Sequence, residues 1–99
     1  MIVLDSKQIQ IIQEILNKYA GDTPVRVFGS RASGKPKPFS DIDLVMMTTQ
    51  VAKASEIAQI KEAFSESDLT IKVDFLDWSD ISPEFRKIIE AHSEPFPLA

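Results

Sequence analysis

The stretch Val25-Arg26-Val27-Phe28-Gly29-Ser30-Arg31, followed after a ten-residue interval by Asp41-Ile42-Asp43-Leu44-Val45-Met46, decides the fold. A short β-forming run that stops on Gly-Ser reads as a strand feeding a tight turn. The second run opens on two acids and reads as the next strand. Gly29 lets the backbone bend and approach a ligand closely. Ser30 adds a hydroxyl and sits where backbone N–H groups at a strand-to-helix turn can point at phosphate oxygens. Arg31 supplies a charged fork for the same anion. Asp41 and Asp43, two apart on a strand, leave the same face of a sheet. Carboxylates that close repel each other unless a cation lies between them. An oxygen-only site of this kind suits Mg²⁺ or Mn²⁺, which keep several waters and take other ligands from substrate phosphates.

Working outward, Ser6 reads as the N-cap of a helix running to Tyr19, stopped by Ala20-Gly21-Asp22, with Ile9, Ile12, Leu16 and Tyr19 as its buried stripe. The strand Val25 to Phe28 follows Pro24. Between Gly29 and Ser40 the chain reads as a turn, one turn of helix and a proline-rich loop. Asp41 to Met47 is a second strand. A helix from Ala54 to Phe64 carries Ile57, Ile60 and Phe64 on one face, and Leu69 to Leu76 is a third strand. Ser82-Pro83-Glu84 opens a last helix with an N-cap, a proline at its first position and an acid in its first turn. Phe85, Ile88, Ile89 and His92 lie along that helix's apolar side. The order α-β-β-α-β-α implies an α/β (α+β) fold, a small mixed sheet with helices packed on it.

The third strand carries Asp74. If it reaches the spot where Asp41 and Asp43 converge, the site can hold two ions: one to activate an attacking hydroxyl, one to steady a triphosphate and its leaving pyrophosphate. Asp74 would then help deprotonate the acceptor. This set of parts suits nucleotidyl transfer, in which positioning and charge neutralisation carry most of the catalysis.

The 99 residues read as one domain, 1–99, with room for one core but not for a catalytic domain plus a separate acceptor-binding domain. No apolar run approaches the ~20 residues of a membrane span, and Met1-Ile2-Val3-Leu4-Asp5 lacks the pattern of a signal peptide. The absence of cysteine excludes disulfides and thiolate metal sites. Together these point to the cytoplasm. With 11 basic and 15 acidic residues the net charge is −4, which argues against direct nucleic-acid binding over a broad surface. Arg26, Arg31, Lys35 and Lys37 nevertheless form a local basic cluster around the Gly-Ser turn.

Gly29-Ser30-Arg31-Ala32-Ser33-Gly34 followed by Ser40-Asp41-Ile42-Asp43-Leu44 resembles the minimal nucleotidyltransferases of the DNA polymerase β superfamily. Val73-Asp74-Phe75-Leu76-Asp77-Trp78, then Ser82-Pro83-Glu84-Phe85, is similar to that family's third-carboxylate strand and closing helix. The resemblance covers nearly the whole chain. It implies the polymerase β-like nucleotidyltransferase fold, with ATP or another nucleoside triphosphate bound at Gly29 and Ser30, and magnesium held by Asp41, Asp43 and Asp74. It also implies a partner, a small helical HEPN-type ribonuclease toxin that such domains neutralise, in some cases by transferring AMP to a tyrosine. The loop Lys35-Pro36-Lys37-Pro38-Phe39 is more proline-rich and basic than the family pattern leads one to expect; it leaves the motif spacing intact.

Other residues carry weaker signals. Lys72 shares a strand face with Asp74 and reads either as a partner for a carboxylate or phosphate or as a solvated lysine. Asp77 alternates to the opposite face and reads as a loop acid. His92 reads as a packed, hydrogen-bonded histidine, and Trp78 as a cap on the core beneath the strand-to-helix turn. The tail Pro95-Phe96-Pro97-Leu98 either docks on its own domain or meets a partner. The leading expectation is a metal-dependent enzyme moving AMP from ATP to a hydroxyl on a partner protein. Two alternatives stand beside it: a non-catalytic binding antitoxin, and a catalytic subunit modifying a small molecule or RNA.

Overall fold

Helix α1 (Ser6–Tyr19) is capped by Asp5, not by Ser6. The Asp5 carboxylate accepts the Gln8 N–H at 2.7 Å and the Gln8 side chain accepts the Asp5 N–H at 3.0 Å, a reciprocal capping box. The box needs Glu or Gln three residues beyond the cap. Asp5 has Gln8 there, whereas Ser6 has Ile9. Ile12 and Leu16 are fully buried, but Tyr19, expected on the same stripe, is 38% exposed. The helix ends on Ala20, and Gly21 follows with φ +60°. This computed structural model describes residues 2, 4–21, 23–33, 41–48 and 54–97.

The chain continues through β1 (Val25–Phe28), the single turn α2 (Ser30–Ser33), β2 (Ile42–Met46), α3 (Ala54–Glu66), β3 (Val73–Asp77), a 3-10 turn at Trp78–Asp80, α4 (Pro83–Ala91) and β4 (Glu94–Pro95). The sheet order is β3-β2-β1-β4. β1 is antiparallel to β2 and β4, while β2 and β3 are parallel and joined by the α3 crossover. The mixed sheet expected from sequence is present.

β3 starts at Val73, four residues later than the β-forming run from Leu69 suggests. Its parallel partner begins at Ile42, which pairs with Val73 and donates its N–H to the Lys72 carbonyl at 2.9 Å. Leu69 and Ile71 pack into the core without joining the ladder, so their apolar character reflects burial and not strand pairing. β4 was not foreseen. It is two residues long and contains Pro95, which a ladder tolerates only at an edge.

Strand alternation divides the side chains between two faces. On one face Val25, Val27, Ile42, Leu44, Met46 and Phe75 pack with Ile12 and Leu16 of α1 and Ile60 and Phe64 of α3. On the other, Phe28 and Val45 pack with Ile89 of α4, flanked by Leu76 and Trp78. Phe96 is buried in the first core, its N–H bonded to the Val25 carbonyl, and Gln13 donates to the Pro97 carbonyl at 2.6 Å. The described part of the tail therefore docks on its own domain; Leu98 and the loop 35–39 lie outside the described residues. Phe96→Ala is expected to cost about 3 kcal/mol of stability, read as a lower midpoint in urea denaturation.

Asp77 is not a loop acid. It is the last residue of β3 and only 5% exposed. Its carboxylate accepts from the Thr48 hydroxyl and, at 2.7 Å, from the Ser79 hydroxyl, and it caps the following 3-10 turn through the Ser79 N–H. A buried carboxylate persists when hydrogen-bonded in this way.

Candidate active site

The parallel register sets the site. Asp43 on β2 pairs with Asp74 on β3, so both side chains leave the same face, one interstrand spacing of about 4.8 Å apart at the backbone. Asp41 lies two residues before Asp43, just ahead of β2. Asp41 and Asp74 are exposed and Asp43 is half-buried. Burial pushes the Asp43 carboxyl above the ordinary carboxylate range, and the charges of Asp74 and Asp41 push it further in the same direction. All three acids expected from sequence thus act electrostatically on one point. Among the described residues, no group of three His, Cys, Asp or Glu side chains stands arranged around a single ion. The donor set nonetheless fits a hard divalent cation: oxygen donors only, on one open face, with repulsion that such an ion would relieve.

The Gly-Ser turn is pressed against these acids. Phe28 is the cross-strand partner of Asp43, and the next residue, Gly29, has φ +73°. A Cβ built on Gly29 would overlap the Asp43 carboxylate, with Cγ at 3.2 Å. The Gly29 carbonyl accepts the Ala32 N–H at 3.1 Å, closing the turn into α2, which packs on β1 and β2. Ser30, half-exposed, begins α2. Turn and carboxylates are therefore within one another's reach, as the motif spacing implied.

Of the expected basic cluster, Arg26 and Arg31 fall among the described residues. Arg31 is only 6% exposed. Arg26 donates from Nε to the Ser93 hydroxyl at 2.7 Å and from Nη2 to the Ser93 carbonyl at 3.0 Å, fastening β1 to the segment between α4 and β4. Lys35 and Lys37 lie outside the described residues. Lys72 is exposed.

His92 is the C-cap of α4 and is exposed, so it is not the packed histidine expected on the apolar stripe. With Ala32, Ala91, Ser93 and Glu94 it lines a cavity of about 220 Å³. Trp78 behaves as expected, packing against the second core. The Arg86 guanidinium lies 5.0 Å from the centre of its ring and donates to its carbonyl at 2.8 and 3.2 Å.

One feature escaped the sequence reading. The ring of Phe85 stands edge-on to Phe28, centroids 5.8 Å apart, yet Phe85 remains 37% exposed and Ile88 58%. Phe28 directly precedes Gly29 and is the cross-strand neighbour of an acid, which is the signal that this apolar contact borders the site.

The family described as Polymerase beta, Nucleotidyltransferase matches residues 10–95. The chain is also 42% identical over 86 residues, 87% of its own length and 75% of the other's, to a Haemophilus influenzae protein named as a probable protein adenylyltransferase, MntA. The chain belongs to the polymerase β-type nucleotidyltransferase family.

Solved structures agree on the fold. This nucleotidyltransferase aligns with a structure assigned as a minimal nucleotidyltransferase at TM-score 0.70 and 27% identity, covering 94% of this chain and 97% of that one. It aligns with a toxin–antitoxin complex containing AMP-PNP at TM-score 0.74 and 17% identity, covering 92% of this chain and 73% of that one. A complex of the tri-AMPylated Shewanella oneidensis HEPN toxin with an MNT antitoxin aligns at TM-score 0.71 and 14% identity, covering 97% and 74%. At such identities the last two bear on the fold of this nucleotidyltransferase and not on its ligands. Among its described residues, no helix is long and apolar enough to cross a membrane.

Proposed function

We propose that this nucleotidyltransferase transfers AMP from ATP to a hydroxyl on a HEPN-type toxin, with Asp41, Asp43 and Asp74 at the reacting centre and Gly29 and Ser30 holding the triphosphate. The observation that carries the reading is the in-register pair Asp43 and Asp74 on one open face, with the Gly29 backbone against Asp43. The acceptor is supported by the relative named as a protein adenylyltransferase and by the AMPylated toxin in the Shewanella oneidensis complex.

The acceptor oxygen attacks the α-phosphorus, the bond from that phosphorus to the bridging oxygen breaks, and pyrophosphate leaves. The hydroxyl proton passes to Asp74, the most open of the strand acids. Gly29, lacking a side chain, lets the phosphates approach the turn backbone, and the Ser30 hydroxyl and neighbouring N–H groups hold them there. Mg²⁺ or Mn²⁺, bound by the three carboxylates, would supply charge neutralisation for the triphosphate. Arg31, which follows Ser30 in α2 and is 6% exposed, belongs with Gly29 and Ser30 in the proposed nucleotide site.

The test is to co-express this chain with the protein encoded beside it and measure that protein's intact mass. A nucleotide-sized increase, lost when Asp41 and Asp43 are both changed to Asn, is the expected result. A stable complex with no mass change would refute transfer to that protein and leave a binding antitoxin.

A further inference from the structure

We propose that Phe28 is a positioning residue for Asp43, and that Phe85 braces Phe28 in that task from the outer side of α4. This rests on the reading of Asp43 as an ion-holding carboxylate of the reacting centre, and it adds what keeps that carboxylate in place.

The registers set three side chains in a row across the sheet. Phe28 on β1 is the cross-strand partner of Asp43 on β2, and Asp43 is the partner of Asp74 on β3. Side chains directly opposite one another share a face, with Cβ atoms about 4.5–5.5 Å apart. Asp43 therefore has a like charge on one side and an aromatic residue on the other. Gly29 closes that second side further: a Cβ built on it would stand 3.2 Å from the Asp43 Cγ and 3.6 Å from its Cβ.

Two ionised carboxylates one strand apart repel each other, and a strand side chain has other staggered wells to move into. Relief of the repulsion lies away from Asp74, which is toward β1. That side is occupied by the Phe28 side chain and the Gly29 backbone. The acids are thus kept together before any ion arrives, so that little reorganisation is left when one binds.

Phe28 can hold Asp43 only if it is held itself. It is 9% exposed and packs on Val45 and Ile89, and the Phe85 ring meets its ring edge-on, with centroids 5.8 Å apart and planes at 86°. The start of α4 fixes Phe85 there, because its N–H donates to the hydroxyl of the N-cap Ser82 at 3.3 Å. Phe85 remains 37% exposed whereas Ile89 is 1% exposed. Ile89 thus carries the burial on this helix, and the distinctive contact of Phe85 is the one with the Phe28 ring. An edge-to-face pair shifts an equilibrium by roughly threefold to tenfold beyond its area burial, which bounds what the brace contributes.

The test titrates Mn²⁺ into the free chain and into the chain saturated with a non-hydrolysable ATP analogue, reading unbound Mn²⁺ by paramagnetic resonance. Transfer to the protein encoded beside this chain gives kcat and the KM for ATP, and thermal melts give stability. Phe85→Ala is expected to raise the Mn²⁺ dissociation constant and lower kcat, each by roughly threefold to tenfold. The KM for ATP, set by the Gly29-Ser30 turn, should change by less than about twofold. Phe85→Tyr keeps the ring edge and should restore both quantities, while Ile88→Ala, an exposed change on the same helix, should alter neither. Phe96→Ala weakens the opposite core, so it should lower the melting temperature and leave the Mn²⁺ constant where it was, which separates position from stability. A wild-type Mn²⁺ constant in a folded Phe85→Ala protein would overturn the proposal. So would a Phe96→Ala protein that loses Mn²⁺ affinity as much as Phe85→Ala does. A wild type that binds no Mn²⁺ overturns it as well, since Asp43 then has no ion to be positioned for. If the wild type binds Mn²⁺ and transfers nothing, the transfer reading falls alone, and the Mn²⁺ constants still decide the roles of Phe28 and Phe85.

Discussion

Replacing Asp43 by Asn is expected to abolish nucleotide transfer and, at neutral pH, to raise the melting temperature. The two effects share one cause. Asp43 is half-buried beside two other carboxylates, and burial, Asp74 and Asp41 all raise its pKa. A carboxyl whose folded-state pKa lies above its unfolded one binds more protons in the folded state. Stability therefore falls as pH rises from the ordinary carboxylate range through the raised value. At neutral pH the charged Asp43 opposes folding. Asn keeps the shape and removes the charge, so thermal melts should show the variant above wild type at pH 7, with the gap closing as pH falls toward that range. Activity moves the other way, because the charge that strains the apo fold is what a triphosphate's divalent counter-ion needs. Loss of a preorganised electrostatic partner at a phosphoryl centre costs at least about a hundredfold in rate. A variant that is both less active and less stable would instead mean that Asp43 serves the fold, and would remove it from the reacting centre.

Much of this was legible before any coordinates. The strand Val25–Phe28, the turn of helix after Gly29, the N-cap and proline opening α4, and the mixed sheet all follow from local pattern. The two-residue period also predicts a shared face for Asp41 and Asp43, although β2 begins only at Ile42. The position of Asp74 was different. Two parallel strands joined by a 13-residue crossover helix can pair in many registers. The one adopted is set by burying Ile42, Leu44 and Phe75 together, a long-range choice that no window of sequence encodes. Arg31 illustrates another limit. Its burial is not legible in the sequence: α2 is one turn long and lies against β1 and β2, so the side chain that follows Ser30 is drawn inward. β4 was illegible because two residues with a proline carry no periodicity, and it forms only because Phe96 anchors the tail in the core.

The same local view missed what the second face of the sheet does. Alternation turns Asp43 and Asp74 away from the main core. The structure shows that this face has a core of its own beneath α4, so the acids sit at the margin of a second apolar layer. That margin is why Asp43 is half-buried, and why an aromatic edge stands beside it. The helical stripe Phe85, Ile88, Ile89 carries more apolar surface than this small second core can cover, and the surplus faces outward next to the site.

Gly29→Ala is the second substitution with a large expected effect, and it separates backbone strain from side-chain collision. Gly29 holds φ +73°, where an alanine costs about 1–2 kcal/mol. Its Cβ would in addition overlap the Asp43 carboxylate. Asp43 lies on the central strand β2, hydrogen-bonded on both sides, so the collision is relieved by rotating the carboxylate away or by opening the turn. Either movement uncouples the phosphate-holding backbone from the acids, and displacements of this size at a reacting centre cost about a hundredfold. Gly29→Ala should therefore lose both stability and transfer, whereas Asp43→Asn loses transfer alone. A double-mutant cycle with Asp43→Ala resolves the two contributions. If the collision dominates, Gly29→Ala should destabilise the Asp43→Ala background by distinctly less than it destabilises wild type, because the carboxylate it meets is gone. If the cost is the same in both backgrounds, the left-handed backbone alone demands glycine, and the contact between turn and acid is not what holds the two halves of the site together.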